Sequence, residues 1–170
     1  MDLFETVEKR RSIRKFKPNP IPDKNLKKIL EAGRLAPSGG NRQPWSFIVV
    51  RKPETKKKLA AVANLQRFIA DADTVLIALG DPAVSKSLYK QDPMIAIEHM
   101  VLASTALGYG TCWIGAFNEN DVKEIAKVPE NMTVIALLPI GIPDENPPPK
   151  PRRVFKEVFF KESYGKPMEM

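Results

Sequence analysis

The chain has 170 residues, 43% hydrophobic and 28% charged, which suits one globular domain with a core and argues against general disorder. Lys and Arg outnumber Asp and Glu by 27 to 20, and the resulting +7 favours anionic partners without specifying one. One cysteine, Cys112, excludes an intramolecular disulfide framework, suits a reducing cytoplasm and, with a lone histidine, cannot form a Cys/His zinc site.

The opening MDLFETVEKR has no basic-then-apolar leader pattern. Asp2 instead caps a first helix reaching about Arg10, with Leu3, Phe4 and Val7 on one face. Three prolines keep SIRKFKPNPIP extended, and Asp23 starts a second helix striped by Leu26, Ile29 and Leu30. APSGGNRQPW ends that helix. Ser46–Val50 reads as a buried strand and Thr74–Gly80 as another; between them Pro53 opens a helix with a Lys-rich outer face. Pro93 opens a long helix to about Leu107, apolar on most sides and therefore central. GTCWIGAF is a short strand or turn, NENDVKEIAKV a capped amphipathic helix, and TVIALLPIG the last core strand. The glycine-broken run MVLASTALGYGTCWIGAF does not read as a membrane span. IPDENPPPKPRR is too proline-dense to be helical. The segment after it carries Val154, Phe155, Val158, Phe159 and Phe160, an apolar load that points to an arm packing on a second copy of the chain.

Three stretches bear on chemistry. In the extended KRRSIRKF, alternate residues point the same way, so Arg10, Ser12 and Arg14 share one side. Two guanidiniums around a hydroxyl suit a phosphate monoester, although a basic cluster is often only a solvated face. PSGGNRQPW sets small residues beside Asn41 and Gln43, giving amide donors close access to a flat polar ligand, or simply making a helix-ending turn. In TCWIGAF, a glycine after Ile114 lets a flat ring approach the backbone, or makes a bend between helix and strand.

Together and in this order, the three stretches make the chain resemble the nitroreductase family of FMN-dependent oxidoreductases, from RRSIRKF to KPRR. The resemblance implies an α+β fold over residues 1–170 as a single FMN-binding domain. A central, mainly antiparallel sheet would be flanked by helices, with strands near Phe47–Val50, Val75–Leu79 and Val134–Leu138. It implies that Arg10, Ser12 and Arg14, with Arg11 alongside, and Lys150 with Arg152 grip the phosphate and ribityl region of tightly bound FMN. Pro37, Ser38, Gly39, Asn41 and Gln43 would reach the flavin from the other subunit, and Ile114, Gly115 and Ala116 would face the isoalloxazine edge. A backbone N–H of Gly115 or Ala116 would then orient N5, and Arg10 would stabilise charge near N1 and O2. Hydride would pass from NAD(P)H through N5 to a nitroaromatic, quinone or similar acceptor by a ping-pong mechanism, with no catalytic side chain and no metal. The assembly implied is an intertwined homodimer with FMN at the interface and residues 146–170 as an arm on the partner, in the cytoplasmic setting that the composition already suggests.

A flavin-binding sensor or storage protein would draw on the same residues. A nucleic-acid-binding module fits less well, because the basic residues are dispersed and lack interleaved aromatics. His99 reads as a hydrogen-bonded core or interface residue, in a Glu98–His99 pair where relatives commonly carry amides. Cys112 reads as small and buried, Trp45 and Trp113 as packing residues, and Phe68, Tyr89 and Phe117 as candidates for a substrate pocket.

Overall fold

In the computed structural model, which describes residues 1–169, helix α1 (Leu3–Lys9) starts where the Asp2 carboxylate accepts the Glu5 amide at 2.9 Å. The apolar face expected of this helix turns outward: Leu3, Phe4 and Val7 are exposed, and Thr6 is what α1 buries. An extended segment with Pro18, Pro20 and Pro22 includes strand β1 (Phe16–Lys17) and leads to α2 (Asp23–Arg34). Strand β2 (Trp45–Val50), helices α3 (Pro53–Val62) and α4 (Phe68–Asp71), and strand β3 (Thr74–Gly80) follow. Helix α5 (Gln91–Ala106), strand β4 (Gly110–Thr111), helix α6 (Glu119–Ala126) and strand β5 (Thr133–Pro143) complete the body.

The named strands all pair antiparallel, in the order β1-β5-β3-β2, with β4 also paired to β5, and a parallel bridge joins Ser12 to Thr111. Helices cover both faces. Val75, Ile77, Leu79 and Leu137 join Leu59, Ile69 and Val122 from α3, α4 and α6 in one core layer. Leu76, Ala78, Leu138 and Ile140 join Ile29, Ile97 and Met100 from α2 and α5 in the other. Alternate side chains of β3 thus feed opposite layers, which is why all seven of its residues are buried.

The expected α+β architecture stands, with corrections of detail. The sheet strand expected to be buried near Ser46–Val50 is an edge strand, and Ser46 and Val49 are exposed. The Lys-rich face of α3 is not wholly outward. Lys56 is buried, and its ammonium donates to the carbonyls of Ala72 and, at 3.2 Å, Asp73, while burial pulls its pKa down. Helix α5 leaves Met94 and Ile95 exposed, so one side of it is open within a single chain. The segment expected to be extended after residue 146 stays so only to Val154. Beyond it a single turn at Phe155–Glu157 and a bridge between Phe160 and Pro167 fold the arm on itself. Val154, Phe155, Val158 and Phe159 remain exposed there. No helix among the described residues is long and apolar enough to cross a membrane.

Candidate functional site

A cavity of about 370 Å³ opens between the segment after α1 and the proline strip Pro147–Pro149. Arg10, Arg11, Ser12, Arg14, Lys150 and Arg152 line it, and Glu8 is the one acid among its lining residues. Among the described residues none of these five cations forms an ion pair. Like charges around one concavity repel unless an anion sits among them, and arginine forks match the oxygens of a phosphate.

Local sequence builds this wall. Ile13 is buried, and its amide donates to the Thr111 carbonyl at 2.8 Å, so the flanking Ser12 and Arg14 point outward with the expected period of two. Ile13 fits only because residue 110 is glycine: a Cβ there would lie 2.7 Å from Ile13 Cγ1. The Arg14 backbone amide donates to the Glu145 carboxylate, which ties the first wall to the root of the second. Nothing in the sequence pattern marked Glu145. Arg11 also serves α1, its guanidinium donating to the Glu8 and Arg10 carbonyls at 2.6 and 2.9 Å. Lys150 and Arg152 meet the Arg10–Arg14 cluster within one chain.

The other two expected parts lie elsewhere on the sheet. Ile114 pairs with Leu137, giving and taking backbone hydrogen bonds at 2.9 and 3.0 Å, and its side chain is in the core. It therefore anchors the segment and has no amide left for a ligand. Gly115 and Ala116 are exposed, and among the described residues their amides have no backbone partner. They follow Ile114, whose partner Leu137 lies about three strand residues or ~10 Å from Ile140, which pairs with the Thr111 that holds Ser12.

The Pro37–Gln43 loop sits at the opposite end. Trp45, just after it, pairs with Gly80, which pairs with Thr133 at the start of β5, whereas the basic cavity adjoins Ile140–Pro143 at its finish. The loop is a tight turn: Ser38 Oγ accepts the Gln43 amide at 2.9 Å, and Gly40, Asn41 and Gln43 have φ of 59, 54 and 51°. The Asn41 and Gln43 side chains are exposed. One chain thus holds a basic cavity at one end of the sheet, exposed amides beside the middle of β5, and an outward-facing amide loop at the other end.

His99 is hydrogen-bonded as expected, its Nδ1 lying 3.3 Å from the Ala32 carbonyl. Partial burial raises the Glu98 carboxyl above its ordinary value, against the pull of Arg10. Cys112 is buried, and burial pushes its thiol pKa up despite Arg14, Ser12 and Arg10 nearby. Phe68 and Phe117, candidates for a substrate pocket, pack against core clusters, and Trp113 is exposed where packing was expected.

The nitroreductase family model matches residues 7–90 and 60–142 of this chain. An Archaeoglobus fulgidus protein provisionally named NADH dehydrogenase/NAD(P)H nitroreductase is 34% identical over 151 residues, 85% of this chain and 87% of that one. The crystal structure of a nitroreductase family protein from Clostridium novyi superposes with a TM-score of 0.81 at 34% identity, spanning 98% of this chain and 97% of that one. The NADPH:FMN oxidoreductase of Vibrio harveyi, solved with NAD+, superposes with a TM-score of 0.90 at 28% identity, over 96% of this chain and 78% of that one. The family model over most of the chain and these relatives agree: the chain belongs to the nitroreductase family.

Proposed function

We propose that this chain is an NAD(P)H-dependent FMN oxidoreductase that reduces a nitroaromatic, quinone or similar small electrophile in two half-reactions. The basic cavity carries the reading: five cations, without ion pairs among the described residues, and one hydroxyl around about 370 Å³ fit a phosphate monoester. Names among the similar proteins, such as NADPH:FMN oxidoreductase and FMN-dependent nitroreductase, supply the cofactor class. Bound FMN supplies hydride acceptance and release at N5. Arg10, Ser12, Arg14, Lys150 and Arg152 hold its phosphate end, with Arg11 bridging to α1. The amides of Gly115 and Ala116 are left to donate to the ring edge, and Arg10 adds positive charge on the cavity side.

The functional unit we infer is a homodimer. Within one chain the Pro37–Gln43 loop is separated from the basic cavity by the length of β3, six residue steps or ~20 Å. A second chain supplies the loop. Exposed apolar residues on α1, α5 and the arm 146–170 give that chain surfaces to cover. NAD(P)H and the acceptor are the other partners; neither nucleic acid nor membrane is needed. One domain over 1–170 and a cytoplasmic setting, consistent with a buried unpaired Cys112, complete the reading.

The test is spectroscopic. Purified protein should be yellow, with a flavin absorption band that NADH or NADPH bleaches without oxygen and that a quinone or nitroaromatic restores. Protein that neither carries nor takes up FMN overturns the proposal. Bound FMN that no nicotinamide reduces would mark a binding protein without turnover.

A further inference from the structure

Asp92 is a buried carboxylate, 3% exposed, that the reading above does not use. It lies in the first turn of the sixteen-residue helix α5, whose positive end favours an anion there. Its Oδ2 accepts the Gly39 amide at 3.2 Å. Gly39 opens the turn that presents Asn41 and Gln43. Among the described residues, Asp92 is the side chain from outside the loop that hydrogen-bonds to it; Ser38, Arg42 and Gln43 bond only within it.

Packing fixes the same relation. A Cβ on Gly39 would lie 2.3 Å from Leu88 Cδ1, so the loop presses on the turn leading into α5, and Leu88 in turn accepts the Asp92 amide at 2.9 Å. Two helical turns further along α5, Met100 seats so closely on α2 that a Cβ on Gly33 would lie 2.7 Å from its Cγ. The end of α2 and the loop that follows are therefore referenced to α5 at two points. Past Gly39 the backbone turns left-handed, and at Asn41 and Gln43 that conformation persists only where neighbours over-determine it.

We propose that Asp92 is a positioning residue: it sets the Ser38–Gln43 loop against the start of α5, and so places Asn41 and Gln43 against the flavin held by the partner. The inference rests on the two-chain site proposed above. Met94 and Ile95, on the next turn of α5, are exposed, so the helix that holds the loop also offers an open apolar side to a second chain.

The experiment uses the FMN-loaded full-length enzyme as wild type, Asp92→Ala and Asp92→Asn. FMN content, visible circular dichroism of the flavin, and kcat and KM with NADPH and one quinone are read beside the melting temperature. Asp92→Ala should keep its FMN, because the basic cavity is untouched. Its flavin dichroism should change and its kcat/KM fall about 10- to 100-fold, the loss typical of a displacement near 1 Å. Asp92→Asn, which keeps an oxygen for the Gly39 amide, should recover much of that loss. If Asp92→Ala does not fold, Asp92→Ser, whose side chain is shorter and suits a helix start, takes its place under the same criteria. A lower melting temperature with flavin dichroism unaltered and kcat/KM within about twofold of wild type overturns the positioning role. Wild-type protein that binds no FMN, or is not reduced by NADPH, fails the functional reading itself, and the two failures are distinguished before any variant is compared.

Discussion

If each site joins the basic cavity of one chain to the loop of the other, mixing two crippled chains should restore activity. One chain would carry Arg10→Ala and Arg14→Ala, the other Asn41→Ala and Gln43→Ala. Among the described residues neither arginine side chain forms an ion pair, and both line the cavity, so the first chain loses phosphate contacts and little else. Each charged hydrogen bond is worth about 1.5–3 kcal/mol, so the pair costs roughly 3–6 kcal/mol. At about 1.4 kcal/mol per tenfold, FMN affinity falls at least 100-fold. Each parent dimer then has two damaged sites. A mixed dimer has one site with both defects and one with neither. Random reassociation of equal amounts makes about half of all dimers mixed, so about a quarter of all sites are intact. The assay is quinone reduction by NADPH after the parents are dissociated and re-formed together. Turnover near a quarter of wild type per chain is expected. Turnover equal to the mean of the two parents would refute the two-chain site.

Arg14→Ala alone should weaken FMN by about 1.5–3 kcal/mol in a fluorescence titration while leaving apo-protein melting unchanged; unaltered affinity means Arg14 does not touch the phosphate. Lys56→Met should destabilise, because the Ala72 and Asp73 carbonyls lose their donor. Burial lowers the Lys56 pKa in the folded state, so the unfolded chain binds the extra proton in the window below the ordinary value near 10.5, and wild-type stability rises with pH there. The melting difference between wild type and Lys56→Met should therefore widen as pH rises towards 10.5; a constant gap counts against the shift. Deleting residues after Pro151 removes Arg152 and the exposed Val154, Phe155, Val158 and Phe159, and should lower both flavin content and dimer mass in light scattering. A full-length monomer with stoichiometric FMN would contradict the reason given for that effect.

Period and punctuation made much of this fold legible. The continuous apolar run of β3, the stripe of α2 and the Asn118 cap of α6, which accepts the Asn120 amide at 3.0 Å, all follow from local rules. The alternation Ser12, Ile13, Arg14 was equally readable, since a buried Ile between polar neighbours fixes which side faces out. Pairwise relations across long stretches of chain were not. Glu145 reaches the Arg14 amide 131 residues away, and Asp92 reaches Gly39 across 53. No spacing rule connects such positions, and each acid alone looks like ordinary surface charge. Lys56 failed for a related reason: its neighbours Lys57 and Lys58 are exposed, and only the carbonyls at the end of α4 turn it inward. The resemblance named the functional segments, but it could not show that Ile114 spends its backbone on Leu137 while Gly115 and Ala116 keep theirs.

The apolar face expected of α1 and the central place expected of α5 both leave large side chains in water. Leu3, Phe4, Val7, Met94 and Ile95 are all exposed, and α1 packs on α5, so these residues belong to adjoining elements. Fully burying one such side chain is worth roughly 1.5–3 kcal/mol, so a partner covering this face has a large gain available. The basic segment begins where α1 ends, and the amide loop is held to the start of α5. In the proposed two-chain site, this exposed face is therefore flanked by the two parts that a partner would complete. In the proposed homodimer, association and flavin binding form one linked equilibrium: FMN held by both chains stabilises the dimer, and dilution that separates the chains loosens the flavin. Apparent FMN affinity should consequently fall as protein concentration drops below the dimer dissociation constant, whereas a site built by one chain would show no such dependence.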